Sequence, residues 1–305
     1  MYNKYYEYKK QVTYNSGQTW SDTGEYTPSG ATIGTYETLE ECSGGTINYK
    51  KKYFTIVTVT ECTVKFNYAR GANYFYYSID GGYSWIGHQS GTTITMDSNS
   101  KILVKGYNDS PGIVDGNLGN FTTTGNFSVE GNIMSLFYGD NFSGKTYFPA
   151  DARDNNWIFT PKRLFKDCTG LISAENLILP QTAQKGCYQR MFENCTSLTT
   201  PPVLPATTLS QGCYLYMFKG CTSLTTAPVL SATTLVTTCY NAMFSGCTSL
   251  NSITCLATNV LTNGTGGWVY GVAANGTFYK NPNMNDWPTG DSGIPSGWTV
   301  VDYTG

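Results

Sequence analysis

The chain has 305 residues, more than one average domain needs, so two or three units are expected. Only 13% of residues are charged, the net charge is −2, and 24 Tyr with 14 Phe supply apolar surface for a core, which excludes a disordered chain. Nothing resembles the clustered Lys and Arg that displace phosphate counterions; the run Lys50-Lys51-Lys52 reads as a solvated strand edge, and nucleic acid is not an expected partner.

The N-terminus, MYNKYYEYKK, lacks the apolar region of a secretory signal peptide. No stretch approaches the ~20 apolar residues of a membrane span, so no membrane insertion is expected. Residues 1–45 read as a separate hairpin-bearing segment, and the tyrosines between Met1 and Tyr8 suit docking onto another protein. Thr13 to Trp20 fits [ST]-x-[DN]-x-G-x-[ST]-W, with Asn15, Gly17 and Trp20 in the defining places. Ser78 to Trp85 fits it again through Asp80, Gly82 and Trp85. The pattern resembles the Asp-box, a hairpin whose Asp or Asn caps the turn while Gly takes a positive φ and Trp packs beneath. Asp-boxes occur in sialidases, but away from the catalytic centre, and also in proteins that are not enzymes. A glycosidase would need paired carboxylates in a pocket and is the weaker reading.

Residues 46–110 alternate in the manner of short strands (Thr55 to Thr60, Thr63 to Tyr68, Lys101 to Lys105) separated by Gly, Asn and Asp, and predict a β-sandwich-like domain. Residues 111–160 carry more strand pattern, with Phe121, Phe127, Val129, Ile133 and Leu136 apolar, and are expected to form a β-rich N-terminal cap on residues 161–260. His88 is the only histidine and has no nucleophile motif beside it, so no catalytic residue is assigned. The cysteines lack His partners and CxxC spacing, and no metal or cofactor is expected. Cys42 and Cys62 could pair with each other. Tyr74 and Tyr76 are candidates for stacking on sugars.

Residues 161–260 repeat. Aligned on Cys-Thr-x-Leu, the units carry Phe165, Cys168 and Leu171, then Phe192, Cys195 and Leu198, then Phe218, Cys221 and Leu224, then Phe244, Cys247 and Leu250. A second ladder holds Cys187, Cys213 and Cys239, each followed by Tyr. The 26-residue step lies in the leucine-rich-repeat range. Cys213, Met217 and Cys221 at i, i+4 and i+8 predict one face of a short helix, with Tyr214 and Phe218 beside it. The following strand is expected to turn Leu224, Ala227, Val229 and Leu230 inward, with Val203 equivalent to Val229. The helix cysteines would then be buried free thiols. Thr200, Thr226 and Ser252 fall on the outward face and are candidate binding positions. Residues 261–305 are expected to form a C-terminal cap in which Trp268, Phe278, Trp287 and Trp298 cover the last unit. The expected fold class is mixed α+β: N-terminal β-rich modules, then a short leucine-rich-repeat solenoid with a C-terminal cap.

The repeat pattern CYxxMFxGCTSLTTAPVLPATTL resembles the BspA-type leucine-rich repeats of surface proteins from gut anaerobes and some of their phages, over about 100 residues. The tail from Gly276 to Trp298 also resembles the usual end of such chains. The resemblance implies adhesion or attachment and carries no catalytic residues. The expected function is a non-enzymatic virion protein, a fibre or decoration protein, that binds a host-surface glycan or protein. It would contact other virion proteins through its N-terminal segment, with homo-oligomers left open. A leaderless start and unpaired thiols favour a phage particle over the alternative, a secreted or surface-anchored bacterial adhesin.

Overall fold

A computed structural model describes residues 13–14, 18–19, 36–43, 46–67, 75–106, 119–149, 160–259 and 263–305. The chain divides into two compact units, Met1–Tyr53 and Phe54–Gly305. In the first, β1 (Thr13–Tyr14) pairs antiparallel with β2 (Gln18–Thr19) across the first Asp-box-like segment. A second antiparallel pair joins β3 (Tyr36–Ser43) to β4 (Thr46–Lys51), with two register irregularities along it. Asn15, Gly17, Trp20 and Tyr74 lie outside the described residues.

The second unit begins with two sheets. One runs in the order β13 (Leu171–Ser173), β12 (Phe127–Asn132), β5 (Phe54–Thr58), β10 (Lys101–Lys105), β7 (Phe75–Ser78), β8 (Ile86–His88), with β14 (Leu177–Ile178) also on β12. The other has β6 (Cys62–Asn67) between β11 (Asn120–Thr123) and β9 (Thr93–Met96). Strands β6 and β12 alternate buried and half-buried residues, as strands with one face on a core must. β5 is central in its sheet and buried nearly throughout. The sheets meet through stacked Phe54 and Phe121, centroids 5.5 Å apart, and through Phe66 and Phe75 at 5.7 Å. Four residues, Ser135–Tyr138, form α1, the one α-helix among the described residues. Its buried Ser135 hydroxyl accepts from Phe54 N–H (2.9 Å) and donates to Val104 C=O (3.0 Å), so a polar group in the core is satisfied on both sides.

The mixed α+β leucine-rich-repeat solenoid expected from the sequence is corrected here: among the described residues regular structure is β apart from α1 and a 3-10 turn at Gly139–Asn141, and the segments read as repeat helices are chains of turns. The reason lies in the backbone. Gly212, Tyr216 and Gly220 have φ of 64°, 58° and 75°, and Gly186, Arg190 and Asn194 have 62°, 59° and 61°. A left-handed residue at every fourth position breaks an α-helix but still returns Cys213, Met217 and Cys221 to one side, the same placement an i, i+4 helix would give. Alternate amides close local turns, as in Cys213 N–H to Ser210 C=O and Met217 N–H to Tyr214 C=O. The amides between them leave the segment and bond to the next one 25 residues on. Tyr214, Tyr216 and Phe218 donate to the carbonyls of Cys239, Asn241 and Met243 at 2.9–3.0 Å. The 26-residue period therefore sets the register of neighbouring turns.

The first such segment docks on the sheets. Phe121 N–H bonds Leu164 C=O, Phe127 N–H bonds Gly170 C=O, and Phe165 stacks on Phe121 at 5.4 Å. The aromatic column continues through Phe192, Phe218 and Phe244 with planes within 13° of parallel. A second column runs Tyr188, Tyr214, Tyr240. Both end on the buried Trp268, whose Nε1 donates to Gly293 C=O at 2.8 Å. Beside them β15 (Ser252–Cys255), β16 (Thr277–Lys280) and β17 (Thr299–Asp302) form an in-register parallel sheet. The inward set read from the sequence is off by one residue in two places. Val203 and Val229 are 72% and 41% exposed, while Pro202 and Pro228 are buried, so the alternation hangs on the prolines and not on the valines.

Candidate functional site

Each repeat cysteine is placed by the turn ladder. Cys195, Cys221 and Cys247 donate Sγ–H to the carbonyls of Phe165, Phe192 and Phe218 at 3.0–3.1 Å, and Cys168 to Phe121 at 3.3 Å. Cys187 and Cys239 point at Cys213 C=O and Gly264 C=O at longer range, 3.9 and 3.8 Å. These thiols, with Cys213 and Cys255, are buried and free. Burial pushes their pKa up, to about 12 for Cys168, Cys213, Cys247 and Cys255, so nucleophilic thiolate is suppressed at neutral pH. The Phe192, Phe218 and Phe244 rings and Leu198, Leu224 and Leu250 are fully buried around them. Cys62 is also a free, buried thiol. Among the described residues no group of three or more His, Cys, Asp or Glu is arranged to hold a metal, and no helix is long and apolar enough to cross a membrane.

The second Asp-box segment is the turn between β7 and β8. Asp80 accepts from the hydroxyls of Ser78 and Ser84, both at 2.6 Å, and from Ser84 N–H at 3.0 Å. Those bonds hold its carboxyl far below the usual range. Gly82 takes φ 96°, a left-handed backbone that strains any side chain, although a Cβ there would make only ordinary contact with Leu103 and Trp85. Lys105 lies 4.1 Å over the Trp85 ring and pairs with Asp140 at 2.7 Å. Asp80 thus spends its acceptor capacity on its own turn. His88 is buried against the Phe66 ring (4.8 Å), with Nε2 2.8 Å from Thr92 C=O, and desolvation lowers its pKa.

Parallel bridges pair Ser173 with Thr200 and Thr226 with Ser252, so that of the hydroxyl-bearing candidates Thr226 and Ser252 are brought side by side. Thr226 is exposed, Thr200 and Ser252 half-buried. Tyr76, half-buried on β7, is not brought to them. β7 stands four strands from β13, roughly 19 Å at the usual strand spacing.

Charged columns emerge that alignment on apolar residues misses. In the turn register Arg163, Arg190 and Tyr216 are equivalent, and so are Lys166, Glu193 and Lys219. Arg190 grips Glu193 through Nη1 at 2.9 and 3.1 Å and lies 4.3 Å over the Tyr216 ring, with Lys219 at 5.4 Å. Aligning the variable positions at the same 26-residue step would have shown the grouping. Compared with protein-family models, with curated proteins and with solved structures, the chain finds no match.

Proposed function

We propose that the chain is a non-enzymatic attachment protein of a phage particle, a fibre or decoration protein whose target is a glycan or protein of the host surface. The observation that carries this reading is the core of buried, unpaired thiols. Such a core suits a protein that folds in a reducing cytosol and leaves by lysis, because it needs no oxidising compartment. The likeness of the repeat pattern to BspA-type surface proteins points the same way. The scaffold also fits attachment. Backbone bonds and stacked rings lock each segment to the next, giving surface side chains fixed spacing. Asp80, the carboxylate of the sialidase-like motif, is held in turn bonds that leave it a structural group.

Mass spectrometry of purified particles against outer-membrane fractions tests the setting. Recovery with particles is expected; recovery only in the membrane fraction, from a longer precursor with a signal peptide, rejects the particle and leaves a bacterial adhesin. A glycan array run beside a hydrolysis assay tests the class. Turnover abolished by substituting one Asp or Glu would overturn a non-enzymatic role.

A further inference from the structure

The surface of this protein is sparingly charged, yet five cations collect on the turn side of the first three repeat segments: Lys162, Arg163, Lys166, Arg190 and Lys219. Two carboxylates lie among them. Glu193, almost fully buried, is held by Arg190 and by Lys166 at 3.7 Å; Asp167 is held by Lys166 and by the Asn194 amide, both at 2.7 Å. Lys162, Arg163 and Lys219 pair with no carboxylate among the described residues. Lys162 is near enough to Arg163 and Arg190 for their charges to add to burial in lowering its pKa, so the positive charge is concentrated and not spread. We infer that this patch binds a linear anionic glycan, one carrying carboxylate or sulfate groups along its chain. The inference rests on the attachment reading and names its ligand class.

Successive segments are stacked about 4.8 Å apart, so Lys166 and Lys219, equivalent in the turn register, stand two steps, about 10 Å, from each other, with Arg163 three residues before Lys166. That spacing suits a charged sugar chain lying along the ladder. Arg163 is exposed and offers the fork that recognises carboxylates and sulfates in pairs. Nucleic acid fits less well. The nearby ring that could stack a base, Tyr216, already has Arg190 and Lys219 over it.

The test titrates the full chain with labelled polygalacturonate, dextran sulfate, neutral dextran and single-stranded DNA. The anionic glycans should bind and lose affinity as salt rises, and neutral dextran should not bind. Which of the two binds more tightly separates carboxylate from sulfate recognition. Arg163→Gln and Lys219→Gln should each weaken binding about fivefold, with circular dichroism unchanged. Lys101→Gln, on β10 and paired with Glu130, should leave affinity as it was. Binding that ignores Arg163→Gln and Lys219→Gln, or DNA bound more tightly than either glycan, would overturn the inference. A chain that captures host cells but ignores both anionic polymers would overturn the patch and leave attachment standing.

Discussion

Raising the pH past the ordinary thiol value of 9.0 should unfold this protein abruptly. Eight repeat-region cysteines are buried, and burial raises the pKa of each. A raised folded pKa means that the stabilisation is fully present below the unfolded value and is lost as pH climbs through the folded one. In the unfolded chain each thiol ionises near its ordinary value, which favours unfolding by ~1.4 kcal/mol per thiol at about pH 10. Eight thiols together reach roughly 11 kcal/mol there, comparable to the whole stability of a domain, about 5–15 kcal/mol. The unfolding midpoint should fall between about pH 9.5 and 10.5. The buried Tyr188, Tyr214 and Tyr240, also pushed upward by desolvation, steepen the loss at higher pH. The assay follows circular dichroism and the ultraviolet thiolate band together, under reducing conditions. Both should change in one step, and Cys221→Ala should release one proton fewer across it. Thiolates that titrate near pH 9 while the circular dichroism stays native would refute the reasoning, because the ladder would then be open to solvent.

Thr238, β-branched at φ 57°, holds a left-handed position that Gly212 fills in the preceding segment. Thr238→Gly should therefore raise stability by about 0.5–1 kcal/mol, read as a higher Tm. At Gly170 a Cβ would collide with the Gly125 carbonyl oxygen, a backbone atom, at the junction of sheet and first segment. Gly170→Ala should cost about 2 kcal/mol or more in chemical denaturation, and a neutral result would mean that the junction yields. His88 has a lowered pKa, so its contribution is present above the ordinary value of 6.5 and declines as pH falls below it toward the folded value. Wild-type Tm should drop on acidification through that window, and His88→Phe should flatten the slope.

The periodic core was legible in the sequence because Cys, Phe and Leu recur at one step and burial needs no more than that. Its local geometry was not. Arg190, Tyr216, Thr238 and Ala242 all adopt left-handed backbone, yet none is a residue type that announces it. A step of four residues with one face buried reads as a helix unless positive φ is suspected. The junction was hidden for a different reason. β13 and β14 join a sheet whose other strands come from 54–132, and such pairing is decided by tertiary contact and not by any local signal. In the candidate site, the Asp80 turn was written in its spacing, since Ser78, Gly82 and Ser84 sit where the carboxylate needs donors and room. The cation patch was present as letters but crosses three segments, so it becomes a patch only when they stack.

The turn-side ladder also has a direction. Its inter-segment backbone-to-backbone bonds send N–H toward the following segment: Arg190 to Leu215, Tyr216 to Asn241, Ala242 to Gly266. Aligned peptide dipoles add, as they do along a helix, so the stack is polarised from end to end. Its carbonyl end lies where Lys162, Arg163 and Lys166 gather. Its amide end is met by oxygens, with Val269 N–H on Asp291 C=O and Gly267 N–H on Ser292 Oγ. Such a column has a head and a tail, like a bar magnet, and an anion approaching along its axis would be drawn to the amide end. Cations held at the carbonyl end offset the pole that would otherwise repel a negatively charged chain.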